Sequence, residues 1–141
     1  MNKIFLTFLA VFTMSFQSLS ADGYIASYSV KVSDVQKFAQ SLDGLMTSKF
    51  GNEFPGTLTL GHFAFNGYDD ARHAVVISYA SEADMAKGTA MFYTPTFGKF
   101  LNDIQPISEP VEQSLNRKLI SGGNDNQADN SVYTTYYMSV K

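Results

Sequence analysis

The chain has 141 residues, of which 45% are hydrophobic and 14% aromatic, with a formal net charge of −3 and no cysteine. That length holds one domain with a sizeable core, and without thiols there are no disulfides, so burial alone must hold the fold. A mildly acidic chain without a stripe of Lys and Arg lacks the counterion-releasing surface that nucleic acid requires, so nucleic acid is not an expected partner.

The leader reads as a targeting segment. Met1-Asn2-Lys3 carries one positive charge, Ile4 to Met14 is an uncharged apolar run, and Ser15 to Ala21 turns small and polar. This is the layout of a signal peptide over residues 1–21, with cleavage near Ser20 or Ala21. A transmembrane anchor is the alternative, but the strongly apolar part falls well short of the roughly 20 residues a spanning helix needs. The expected product is exported, periplasmic or extracellular, without a lipid anchor and without membrane association after cleavage. It carries nine basic and thirteen acidic residues, a net charge of −4.

From Gly23 the elements can be taken in order. Tyr24 to Val32 alternates as a strand, with Tyr24, Ala26, Tyr28, Val30 and Val32 on one face and Ile25, Ser27, Ser29 and Lys31 on the other. The second face is mostly polar, which suits solvent, a ligand cavity or a subunit interface. Ser33-Asp34-Val35-Gln36 fits a capping box opening a helix over 33–49. Val35, Phe38, Ala39, Leu42, Leu45 and Met46 form one apolar stripe at spacings of three and four. Gly51 stands where a left-handed C-terminal cap belongs. A turn over Asn52 to Gly56 leads to a strand over 57–66, with Leu58, Leu60, His62 and Ala64 on one side and Thr59, Gly61, Phe63 and Phe65 on the other. Gly67 to Arg72 reads as a hairpin loop, and His73 to Ala80 as the returning strand.

The second helical stretch, Ser81 to Ile104, starts on a Ser81 cap with Asp84 three residues on. Met85 and Phe92 mark the apolar face of its first half, and Gly88 permits close approach. It breaks and restarts at Thr94-Pro95, because proline fits the first helical position and threonine can cap it. Phe97, Phe100, Leu101 and Ile104 then form a second apolar stripe. Pro106 stops the helix, and residues 111–120 give a last strand with Val111, Gln113, Leu115, Arg117 and Leu119 on one face.

Strand, helix, strand, strand, helix, strand over residues 24–120 is the split βαβ of an α+β, ferredoxin-like βαββαβ fold, an antiparallel sheet with both helices on one side. The other side of the sheet is left bare, and Phe63, Phe65 and Val76 are expected to form an interface there with a second sheet. This order, with the MFYTPTFGKFLNDIQPI segment, resembles the dimeric α/β-barrel superfamily, and most closely its antibiotic-biosynthesis-monooxygenase type of domain. In that family the second helix breaks at a Ser/Thr-Pro or similar step and continues with Phe-x-x-Phe, and Thr94, Pro95, Phe97 and Phe100 stand at those positions. The resemblance implies a dimeric barrel. Haem-degrading members rely on a histidine on the second helix and a nearby tryptophan; here that helix carries Met91, Phe92 and Tyr93, and the chain has no tryptophan. Haem cleavage by that route is therefore not expected, and no cofactor is implied.

The domain is expected to span 22–121. Residues 122–131, within the polar run Ser121 to Ser131, read as a flexible linker. Residues 132–141, VYTTYYMSVK, read as one more strand. They echo the first strand, with Val140-Lys141 on Val30-Lys31, so they are either the start of a truncated second repeat or a strand added to this sheet or a partner's.

Signatures of chemistry are sparse. No GxSxG, Walker-type or GxGxxG motif occurs, so hydrolysis by a nucleophile and nucleotide binding lack support. His62 and His73 are the only imidazoles; a hairpin pairing Asn66 with His73 would hold them far apart, so no metal site is expected. His62 is the best single candidate for proton transfer, and Tyr24, Tyr28, His62 and Tyr79 could line an apolar pocket, although ordinary packing explains tyrosines in strands as well. Two functions remain, and whether the chain is an enzyme stays open between them. One is an exported, non-catalytic domain, homodimeric or paired in tandem, that takes up a small apolar ligand. The other is a cofactor-independent monooxygenase acting on a small aromatic substrate.

Overall fold

The computed structural model describes residues 23–119, so the leader, the 122–131 stretch and the 132–141 stretch lie outside the described residues. Four strands, β1 (Tyr24–Val32), β2 (Gly56–His62), β3 (His73–Tyr79) and β4 (Ser108–Arg117), form one antiparallel sheet in the order β2-β3-β1-β4. The helices are α1 (Val35–Met46), α2 (Lys49–Glu53), α3 (Glu82–Met91) and α4 (Pro95–Ile104). This is the expected ferredoxin-like arrangement. None of the described helices is long and apolar enough to cross a membrane.

The helices cover one side of the sheet. Phe38, Leu42 and Leu45 of α1 and Phe100 of α4 share a core with Ala26, Val30, Ile77 and Tyr79 of the two central strands. The period-two pattern of β1 thus selects the face as expected: Tyr24 to Val32 by twos points at the helices. The opposite face carries Ile25, Ser27, Ser29, Thr57, Thr59, Val76 and Ser78, and no described helix packs on it.

Several boundaries differ from the sequence reading. Ser33 does not cap α1; Asp34 does, accepting from the Lys37 amide at 3.0 Å. Ser33 is already engaged, since its amide and hydroxyl both donate to the Ile107 carbonyl, at 2.9 and 3.2 Å, where β1 meets the start of β4. Gly51 is not a left-handed cap either. It lies inside α2, a short helix capped by the Ser48 hydroxyl, which accepts from the Phe50 amide at 3.1 Å. Glycine is needed there for another reason: a side chain would run into the Met46 carbonyl, where α1 ends against α2.

β2 stops at His62, four residues before the expected end. Asn66 to Ala71 makes its own turn: Asn66 Nδ2 donates to the Ala71 carbonyl, the Ala71 amide donates to Asp69 Oδ1, and Gly67 takes a φ of 57°. Asp70 also holds Lys31 at 2.9 Å. With that loop closed, His62 pairs directly with His73, so the expected Asn66–His73 pairing is wrong by four residues. An even shift keeps every side chain on its face, which is why the two faces were read correctly although the register was not. Phe65 consequently leaves the strand and is 82% exposed, whereas Phe63 is half-buried and its amide still reaches the Arg72 carbonyl.

The break in the second helical stretch falls where expected. Ser81 caps α3, Thr94 caps α4 by accepting from the Phe97 amide, and Pro95 takes the first turn of α4. β4 begins three residues earlier than expected and carries a bulge: Ser29 pairs with Glu112 and Val30 with Pro110, leaving Val111 as the extra residue. β4 is an edge strand, where proline is tolerated. Leu115, paired with Ala26 on the helix-facing side, is 57% exposed.

Candidate functional site: an apolar cleft between helices and sheet

The aromatic stripes of the sequence meet in one stack. Phe50 and Phe54 of the α2 region lie 5.6 Å apart by ring centroid, Phe50 is 5.8 Å from Phe97, and Phe92 is 4.6 Å from Phe97 and 6.0 Å from Phe54. Separations of this order are the favourable range for aromatic pairs. Phe50 and Phe54 were missed as site residues; a Ser48 cap followed by aromatics four apart was the available signal.

Beneath this stack a cleft of about 560 Å³ runs between the helices and the sheet. Its floor is Tyr28 and Val30 of β1, Leu58 of β2, and Val75 and Ile77 of β3; its roof is the phenylalanines with Leu42 and Leu45 of α1. Leu101, Asn102, Gln105 and Pro110 also line it and are exposed, which puts its mouth between the end of α4 and the start of β4. A cleft of this size with few polar groups suits a small apolar molecule.

Of the four residues singled out from sequence, Tyr28 alone lines the cleft, and burial raises its phenol pKa above 10.0. Tyr79 lies on the same sheet face but under α3, 4% exposed, with its hydroxyl buried and without a hydrogen-bond partner among the described residues. Burial, with Tyr28 adding to it, pushes the Tyr79 pKa up to about 12. Tyr24 pairs with Tyr79 at the end of the sheet and packs on the core without reaching the cleft. His62 sits at the opposite end of the sheet, outside the cleft and beside His73. His62 Nδ1 lies 3.4 Å from His73 Nε2, overturning the expectation that the two histidines stand apart. Burial, then the neighbouring His62, lowers the His73 pKa below 6.5.

No cluster of three or more His, Cys, Asp or Glu suited to a metal ion occurs among the described residues. Phe63 and Val76 belong to the bare sheet face, whereas Phe65 lies in the loop after β2.

No protein-family model matches the sequence, and no curated protein is significantly similar to it. Solved structures do match. HapK from Hahella chejuensis, at 15% identity and a TM-score of 0.51, aligns over 73% of this chain and 99% of its own. A conserved protein from Methanosarcina mazei aligns at 11% identity and a TM-score of 0.51, over 70% of this chain and 96% of its own. Hydroxynitrile lyase from Passiflora edulis aligns at 14% identity and a TM-score of 0.50, over 72% and 99%. Identities this low show the fold and leave the chemistry to this chain's own residues. The fold is the α+β, ferredoxin-like arrangement expected from the sequence.

Proposed function

We propose that this chain is an exported, non-catalytic domain that binds a small apolar molecule in the cleft and pairs with a second sheet through its bare face. The observation that carries the reading is the cleft itself, about 560 Å³ between an aromatic helix layer and the strands, with Tyr28 as the one titratable side chain in its wall. Burial holds that phenol protonated, so it can donate a hydrogen bond to a ligand but is poorly suited to take a proton from one. That favours binding over the monooxygenase alternative. Export rests on the leader. Pairing rests on the uncovered, serine- and threonine-bearing sheet face with Val76 and Phe63 on it, and on the fold type.

The test is titration with an apolar fluorescent naphthylamine. Saturable uptake of one probe per chain is expected, and Val75→Phe, which fills the cleft floor, should abolish it while leaving the circular dichroism unchanged. Unsaturable uptake, or equal binding by Val75→Phe, would remove the cleft as the site.

A further inference from the structure

The hairpin register joins the only two histidines of the chain. His62 ends β2, His73 begins β3, and they face each other directly across the ladder on the helix-facing side of the sheet, outside the cleft. Their rings are 5.0 Å apart by centroid and tilted by 55°, with Nδ1 of His62 3.4 Å from Nε2 of His73. For a hydrogen bond this separation is long, since such bonds cluster near about 2.9–3.0 Å. It is the separation of two ligands on one tetrahedral ion, because metal–nitrogen bonds of about 2.0–2.1 Å place two such nitrogens about 3.3–3.4 Å apart. A square-planar ion would hold the two nitrogens at about 2.9 Å, closer than they stand here.

Burial supports the same arrangement. His73 is 8% exposed and held by its place on a central strand, whereas His62 is exposed, so an ion can reach the pair from solvent. We propose that His62 Nδ1 and His73 Nε2 form a two-ligand site for a tetrahedral dication of the zinc class, with water filling the remaining positions. Water is the completing ligand because no third His, Cys, Asp or Glu joins the pair among the described residues. Binding requires both facing nitrogens to be free of protons, so each ring carries its proton on the far side, on Nε2 of His62 and Nδ1 of His73. The latter is buried without a partner. Metal-bound histidines usually donate that proton to an acceptor that strengthens the site, so this ion is held loosely and exchanges.

The experiment is calorimetric titration of the untagged full chain with Zn²⁺, paired with Co²⁺ as a spectroscopic probe. One Zn²⁺ per chain is expected, with the visible absorption of tetrahedral Co²⁺ when cobalt replaces it. His62→Ala, at an exposed position, should weaken Zn²⁺ binding by at least about tenfold and erase the cobalt band. If that variant misfolds, imidazole resonances of the wild-type chain decide: both rings must shift together as Zn²⁺ is added. Absence of saturable binding, unchanged affinity in His62→Ala, or a shift of one ring alone would each overturn the site.

Discussion

Gly88 offers a sharp test of how α3 sits on the sheet. It is buried in the last turns of α3, and a methyl group placed on it would lie 2.6 Å from Tyr79 Cε1 and 3.0 Å from its hydroxyl oxygen. Non-bonded carbons prefer about 3.5–4.0 Å, so the overlap approaches 1 Å. Tyr79 has little room to retreat: its ring is already close to Gly56, and Phe54 stands 6.0 Å away by centroid. Two effects of Gly88→Ala therefore oppose each other. Alanine favours the helix by about 1 kcal/mol over glycine, while overpacking costs about 1–3 kcal/mol. The expected net is a loss of about 1 kcal/mol. In a Tyr79→Leu background the ring end is gone, and the same change should stabilise by up to about 1 kcal/mol. The coupling of about 2 kcal/mol stands well clear of the 0.3–0.5 kcal/mol or so within which independent sites add. Urea unfolding followed by circular dichroism measures all four proteins. If Gly88→Ala alone raises stability, α3 does not pack on Tyr79 as described.

Gly51→Ala should cost about 3 kcal/mol or more, because the added methyl meets the rigid Met46 backbone instead of a movable side chain; a urea midpoint near wild type would contradict the tight α1–α2 junction. Tyr79 makes stability fall at alkaline pH. Its folded pKa of about 12 exceeds the ordinary 10.0, so the folded state keeps a proton that the unfolded chain releases, and stability is lost as pH rises from about 10 towards 12. Tyr79→Phe should flatten that stretch of the stability profile, and an unaltered slope would place the hydroxyl in contact with water. Phe63→Asp should split a dimer formed through the bare sheet face and leave the circular dichroism intact; sedimentation of the wild-type chain as a monomer at tens of micromolar would refute that pairing.

How much of this was legible in the sequence follows from the range of the interactions involved. Period-two and period-3.6 patterns are local, so β1, α1 and the two halves of the second helical stretch were read from their own residues. Caps are local too, and Ser81 and Thr94 were placed correctly. Ser33 was not, because a carbonyl 74 residues away competes for its hydroxyl. The hairpin failed for a related reason. Its register is set by a loop whose turn uses Asn66, Asp69 and Ala71 together and whose Asp70 is tied to Lys31 on another strand. A propensity argument sees four turn-forming residues there but not where the strand must stop. That single error moved His62 away from His73 and hid the facing pair of imidazoles.

The cleft was hidden differently. Each of its phenylalanines belongs to an apolar stripe, and stripes predict burial, whereas a cleft depends on what burial leaves unfilled. Nothing in the spacing of Phe92, Phe97 and Phe100 separates a filled core from a hollow one. The cleft is floored by β1, β2 and β3, and Pro110, which pairs with Val30 at the bulge of β4, lines its mouth. A two-for-one bulge on an edge strand therefore shapes the mouth of the proposed site. Deleting Val111 would restore regular pairing past Ser29 and keep Glu112 and the residues after it on their present faces. The mouth of the cleft should therefore change with the loss of the bulge while the sheet faces stay as they are, and weakened uptake of the apolar probe would read that change.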